Sequence, residues 1–150
     1  MSEYTGVRYK DIETSSNLMD LDLDAYYAAL VWLVTGERPA FRQGVVQPIV
    51  PRNRVGRGGW GAWAIGLRYD HFEAGSNVYG NLVEPGNSVR KADAYTVGLT
   101  WYLNPLTRFM LGYTRTEFDR PLLIDRDSRT GKAVYSDYED VFTARMQLAF

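Results

Sequence analysis

Residues 92–103 read ADAYTVGLTWYL. In an extended chain successive side chains point to opposite faces. Tyr95, Val97, Leu99, Trp101 and Leu103 therefore share one side, and Thr96, Gly98, Thr100 and Tyr102 share the other. A strand of a soluble sheet turns its apolar side inward and a charged side to water. Here the second side is small and polar rather than charged, which makes the apolar side the one to explain.

The same arrangement recurs. In 60–72, WGAWAIGLRYDHF, Trp63, Ile65, Leu67 and Tyr69 oppose Ala62, Ala64, Gly66, Arg68 and Asp70. In 107–118, TRFMLGYTRTEF, Phe109, Leu111 and Tyr113 oppose Arg108, Gly112, Thr114 and Thr116. The chain ends on VFTARMQLAF, where Phe142, Ala144, Met146, Leu148 and Phe150 alternate with Thr143, Arg145 and Gln147. The apolar sides carry aromatics at their ends and aliphatics between. That is the girdle pattern of a transmembrane β-barrel, whose strands need only ~9–11 residues to span. Trp63, Tyr69, Tyr95, Trp101 and Tyr113 are the expected lipid-facing girdle, with lipid and lipopolysaccharide as its surroundings.

Two segments are less clear. Residues 21–36 alternate at first and then turn apolar on both sides, so a short buried helix competes with a strand there. Residues 4–10, YTGVRYK, offer a strand with Val7 and Tyr9 opposite Gly6, Arg8 and Lys10. The connections are unequal. Asn104-Pro105 marks a tight turn. Residues 73–91 and 119–138 form long polar loops, as expected on the extracellular side of an outer-membrane barrel. Residues 37–59 break the scheme, because a long Pro- and Gly-containing connection falls where a short periplasmic turn is expected.

Composition excludes several classes. With 17 basic and 18 acidic residues the chain has no general pull toward nucleic acid. It has no cysteine, so disulfides and thiolate metal sites are ruled out. Aromatics reach 14%. The longest apolar run, 25–34, is too short for a membrane helix, which needs about 20 residues. The opening MSEYTGVRYK lacks the apolar core of a signal peptide. That fits a cytoplasmic chain, or a stretch of a longer protein. Among basic residues only Lys10, Lys91 and Lys132 are lysines. Arginine grips oxyanions in a bidentate fork, although an Arg-rich composition also follows from a GC-rich genome.

TGERPAF, GRGGWGAWAIGLRYDHF and YTVGLTWYLNPLTRFMLGYTRTEF, followed by a terminal strand ending in Phe, resemble the C-terminal portion of the phosphate-selective porin O/P family. The resemblance runs through 26–150 in order. It implies about six strands of a sixteen-stranded antiparallel up-and-down barrel in the bacterial outer membrane, assembled as a homotrimer. It also implies passage of small anions, phosphate or polyphosphate among them, past a ladder of arginines. In such proteins an alternating last strand with a terminal aromatic is read by the barrel-assembly machinery, and Phe150, Leu148 and Met146 resemble that signal. Six strands cannot close in lipid, where each unpaired edge group costs several kcal/mol. Residues 1–150 are therefore expected to be a fragment or a 5′-truncated gene product.

With the apolar side toward lipid, Arg68, Arg108 and Arg145, with Arg8 and Lys10, are the expected pore-lining cations. A ring of guanidinium groups replaces the hydration shell of a passing anion; equally, each could pair with a neighbour such as Asp70. No cofactor and no enzymatic activity are expected. His71 is the single histidine and falls on the Trp63–Tyr69 side, which suits a boundary residue better than a catalytic base. Glu117 and Asp119 make a weak carboxylate pair. Asp20, Asp22 and Asp24 could hold a divalent cation, but a polar strand face accounts for them. Asp125-Arg126-Asp127 lacks the spacing of a calcium loop. Arg52, Arg54 and Arg57 sit in a Pro/Gly segment that reads as a solvated turn at the barrel mouth rather than an RNA site. The competing fold is a soluble lipocalin-like barrel holding a small apolar ligand. It would bury Trp63, Ile65, Leu67, Val97, Leu99 and Phe109.

Overall fold

The computed structural model describes residues 1–13, 18–43, 45–75, 88–126 and 129–149, with side chains described for these other than 9–13, 18–21, 45, 46, 125 and 126. They form strands and connections, with no helix among them. The strands are β1 (Ser2–Glu13), β2 (Leu18–Leu33), β3 (Phe41–Arg42), β4 (Val45–Val46), β5 (Ala62–Ala74), β6 (Lys91–Tyr102), β7 (Thr107–Arg126) and β8 (Ala133–Leu148). Six of them make one antiparallel sheet in the order β1-β2-β5-β6-β7-β8, and β3 and β4 pair separately. Neighbours in sequence are neighbours in the sheet, the up-and-down order that short connections favour.

The segment that left a helix open is a strand as far as Leu33: β2 runs for 16 residues, because pairing with β1 on one side and β5 on the other satisfies its backbone groups. Residues 119–138 are mostly not loop. β7 continues to Arg126 and β8 starts at Ala133, so backbone pairing overrides the charged composition that suggested a long connection. Most of the predicted loop 73–91 lies outside the described residues. At the other end, Asn104 Oδ1 accepts from the N–H groups of Leu106 (2.8 Å) and Thr107 (2.9 Å), which closes the tight turn.

Contacts divide the chain into two compact units. One comprises Met1–Ala28, Tyr69–Tyr95 and Arg115–Asp140, and the second Ala29–Arg68, Thr96–Thr114 and Val141–Phe150. Neither has a conventional core. Among the described residues the buried apolar side chains are Pro51, Ala62, Ala64 and Ala74, and no large side chain is fully buried. Leu99 is 37% exposed, Val97 51% and Leu148 58%. The residues that a soluble barrel would gather inside are spread over a surface instead.

In the second unit the rings of Trp63 and Trp101 stack at 5.2 Å and 12°. Phe109 extends the row, 6.1 Å from Trp101, and the indole N–H of Trp101 donates to the Trp60 carbonyl (2.7 Å). Tyr113 lies against Phe142 at 4.8 Å. In the first unit Tyr69 packs against Tyr95 (5.3 Å) and Tyr26 (6.1 Å). Trp63, Tyr69, Trp101 and Tyr113 are half-buried, and their mutual contacts add to the order. Each aromatic pair is worth about 0.5–1.5 kcal/mol beyond its area.

Candidate functional site: the small polar face of the second unit

Opposite the ring-bearing side, β5–β8 present Gly66, Arg68, Thr96, Gly98, Thr100, Arg108, Gly112, Thr114, Thr143, Arg145 and Gln147 at alternate positions. Cross-strand contacts confirm that they share a side. The hydroxyls of Thr96 and Thr114 are 2.9 Å apart, and Thr143 reaches the Gly112 carbonyl at 3.5 Å. Gly66 and Gly98 are not demanded by packing: a Cβ on either meets nothing closer than 3.8 Å. Their effect is to keep the face low.

Three guanidinium groups stand on this face. Arg108 donates from Nε (3.1 Å) and Nη2 (2.7 Å) to the single oxygen Oε1 of Gln147. Its guanidinium carbon is 5.8 Å from the centroid of the Tyr102 ring, within cation–π range. Its orientation is set by neutral groups, so its charge is not cancelled. Arg68 and Arg145 are exposed on β5 and β8.

Arg8 departs from the expected lining. Its register partner is Asp22, with Gly6 opposite Asp24 and Tyr4 opposite Tyr26. Arg8 and Asp22 form an ion pair, and the Tyr4 hydroxyl donates to Asp24 (2.6 Å). Register partners share a face, so Arg8 sits on the side of Tyr26, whose ring stacks on His71 at 4.7 Å. Arg8 therefore belongs to the ring-bearing side and not to the polar face. Alternation within 4–10 separates two sets but does not say which faces which way; the pairing with β2 decides it. The side chain of Lys10 and the residue Phe150 lie outside the described residues. Met146 and Leu148 are exposed on β8, alternating with Arg145 and Gln147.

The first unit places a belt of paired charge on the ring-bearing side. His71, 9% exposed, has Nδ1 2.7 Å from Asp93 and Nε2 3.9 Å from Glu73. The Tyr69 hydroxyl also donates to Asp93 (2.6 Å), and Arg90 pairs with Glu73 (3.0 Å). Arg115 is 3.5 Å from Glu117 and 3.9 Å from Asp140 and lies over the Tyr138 ring at 4.4 Å. His71 thus meets the carboxylates of Asp93 and Glu73 and the Tyr26 ring. Among the described residues no group of three His, Asp or Glu is placed to hold a metal ion.

Alternation did not reveal the partner that orients Arg108. Gln147 is 39 positions away, and only the pairing of β7 with β8 brings them together. Tyr26 was hidden for a related reason: its segment is apolar on both sides, so no periodicity marked it.

An antiparallel sheet without a core, ring-bordered and aliphatic on one side and low, polar and Arg-bearing on the other, defines a porin-type β-barrel wall. The profile of the family described as "Phosphate-selective porin O and P" matches residues 2–150. The chain belongs to that family. It is 26% identical to Porin O of Pseudomonas aeruginosa over 134 residues, which cover 87% of this chain and 28% of that protein. It is 29% identical to an uncharacterized protein of Caulobacter vibrioides over 127 residues, covering 83% of this chain and 22% of that one. The chain thus spans about a quarter of the length of the curated relatives it matches.

Proposed function

We propose that residues 1–150 are the C-terminal portion of a sixteen-stranded outer-membrane porin through which small anions diffuse passively. The observation that carries this reading is the pairing of the two faces of β5–β8. Exposed aliphatic and aromatic side chains fit hydrocarbon, and Arg68, Arg108 and Arg145 among glycines and threonines fit a wet, anion-favouring wall. Trp63, Tyr69, Tyr95, Trp101 and Tyr113 then border the lipid, with lipopolysaccharide as a further partner of the lipid-facing side. Family membership and the likeness to Porin O support the same reading. They favour phosphate or polyphosphate as cargo, a homotrimer as the assembled form and a channel rather than an enzyme. Met146, Leu148 and Phe150 are the proposed contact for the barrel-assembly machinery. Further strands must close the sheet beyond β1 and β8, because open edges are not tolerated in lipid.

The test is ion selectivity in planar bilayers, using the longest natural form of the protein. A salt gradient should give a reversal potential of anion-selective sign. The triple change Arg68→Gln, Arg108→Gln, Arg145→Gln should move it toward the cation side. An unchanged reversal potential in a folded triple variant would remove these residues from the ion path.

A further inference from the structure

The connection 37–59, too long for a plain turn, forms an arm at one end of the second unit. β3 and β4 pair within it through Phe41–Val46 and Arg42–Val45. Glu37 pins its base, accepting from the Thr35 hydroxyl and from the Arg52 N–H (3.2 Å). Val55 N–H donates to the Leu103 carbonyl (3.0 Å), which ties the arm beside the Asn104-Pro105 turn. The stretch 52–61 is wound tightly. The N–H groups of Arg57 and Gly59 both donate to the Arg54 carbonyl (3.2 Å each), and Gly61 N–H donates to that of Asn53 (2.8 Å).

This hydrogen-bonded backbone carries Arg38, Arg42, Arg52, Arg54 and Arg57, all exposed, against one acid, Glu37, which is buried. Among the described residues no carboxylate forms an ion pair with Arg38, Arg42, Arg54 or Arg57. A guanidinium grips a carboxylate in a bidentate fork, yet a single exposed ion pair is weak. Five guanidinium groups on one arm gain strength only from a partner that presents several carboxylates at once. A small anion cannot do so; a polymer with a carboxylate in every repeat can. Location narrows the choice of polymer. In the outer-membrane reading the tight Asn104-Pro105 turn marks the periplasmic end of the wall, and the arm is tied to that end. The polymer that lies there is peptidoglycan, whose stem peptides carry free carboxylates. Phe41, 69% exposed and next to Arg42, offers a ring face to the sugar units.

We propose that the arm is a docking surface for peptidoglycan, its guanidinium groups gripping stem-peptide carboxylates and so holding the wall to the layer beneath it. The docking surface rests on the outer-membrane reading above, yet it is read out by sedimentation rather than ion flow, so either can fail alone. Loss of anion selectivity would leave binding by the arm untouched, and absent binding would leave the pore reading intact.

Binding would be measured by co-sedimentation of the longest natural form of the protein, in nonionic micelles, with purified sacculi. Saturable binding is expected at low salt, falling severalfold as salt is raised. The triple change Arg52→Gln, Arg54→Gln, Arg57→Gln should weaken it about tenfold or more. Lys132→Gln, on the connection between β7 and β8, should leave it unchanged. Amidating the sacculus carboxylates should abolish binding of the unaltered protein, a control that does not depend on any variant folding. Soluble glycan–peptide fragments should compete, and polyglutamate at the same carboxylate concentration should compete less. No binding, or undiminished binding by a folded triple variant or to amidated sacculi, would overturn the docking surface. So would equal competition by polyglutamate, which would mark a site for an acidic protein segment.

Discussion

Trp63 and Trp101 lie ring against ring on neighbouring strands, centroids 5.2 Å apart and 12° from parallel. Both sit in a unit with no apolar interior to bury them. The stack is held at one edge by the bond from the Trp101 indole to the Trp60 carbonyl. Trp101→Ala removes the stack, the Phe109 contact and that bond, and should destabilise the folded protein by about 2 kcal/mol. Trp101→Phe keeps a ring and should cost about half as much. Denaturant titration in detergent, followed by heat-modifiable gel migration, would measure both.

The orientation of the wall can be tested at two adjacent positions. Leu99 and Thr100 are one residue apart and on opposite faces. Leu99→Arg places a charge on the proposed lipid side and should cost about 2–4 kcal/mol of stability in bilayers. Thr100→Arg places it in the proposed lumen and should be close to neutral for folding. Equal costs would contradict the assignment of faces.

Glycines divide by the reason they are needed. Gly61 has φ 76° and would press a Cβ onto the Tyr102 carbonyl. Gly61→Ala should therefore destabilise the arm by more than about 1 kcal/mol. At Gly98 a Cβ meets only ordinary contacts at 3.8 Å and beyond. Gly98→Ala should stay within about 0.5 kcal/mol and change conductance rather than stability. Unfolding midpoints of the two variants, compared side by side, decide this.

Acid should loosen the arm through Glu37. Burial pushes its carboxyl upward, but the hydroxyl of Thr35 and the N–H of Arg52 favour the ionised form and leave it below its ordinary value of 4.5. A folded pKa below the unfolded one gives stability that is present above the unfolded pKa. That stability is lost as pH falls through the folded pKa. Wild type should lose its advantage over Glu37→Gln as pH drops below about 4.5. Parallel stability curves for the two across pH 3–6 would show that Glu37 does not anchor the arm.

Strand identity and the segregation of side chains were legible in residues 60–72, 92–103 and 107–118, because a period of two is a local property of an extended chain. The same local chemistry placed Arg68, Arg108 and Arg145 opposite the rings. Three things were decided only by tertiary pairing. The face of Arg8 follows from its register against Asp22. The length of β7 and β8 follows from backbone bonds that charged side chains do not prevent. The restraint on Arg108 comes from Gln147, far along the chain. Alternation sorts residues within a strand, but which strand lies beside it, and in what register, depends on hydrogen bonds between distant segments.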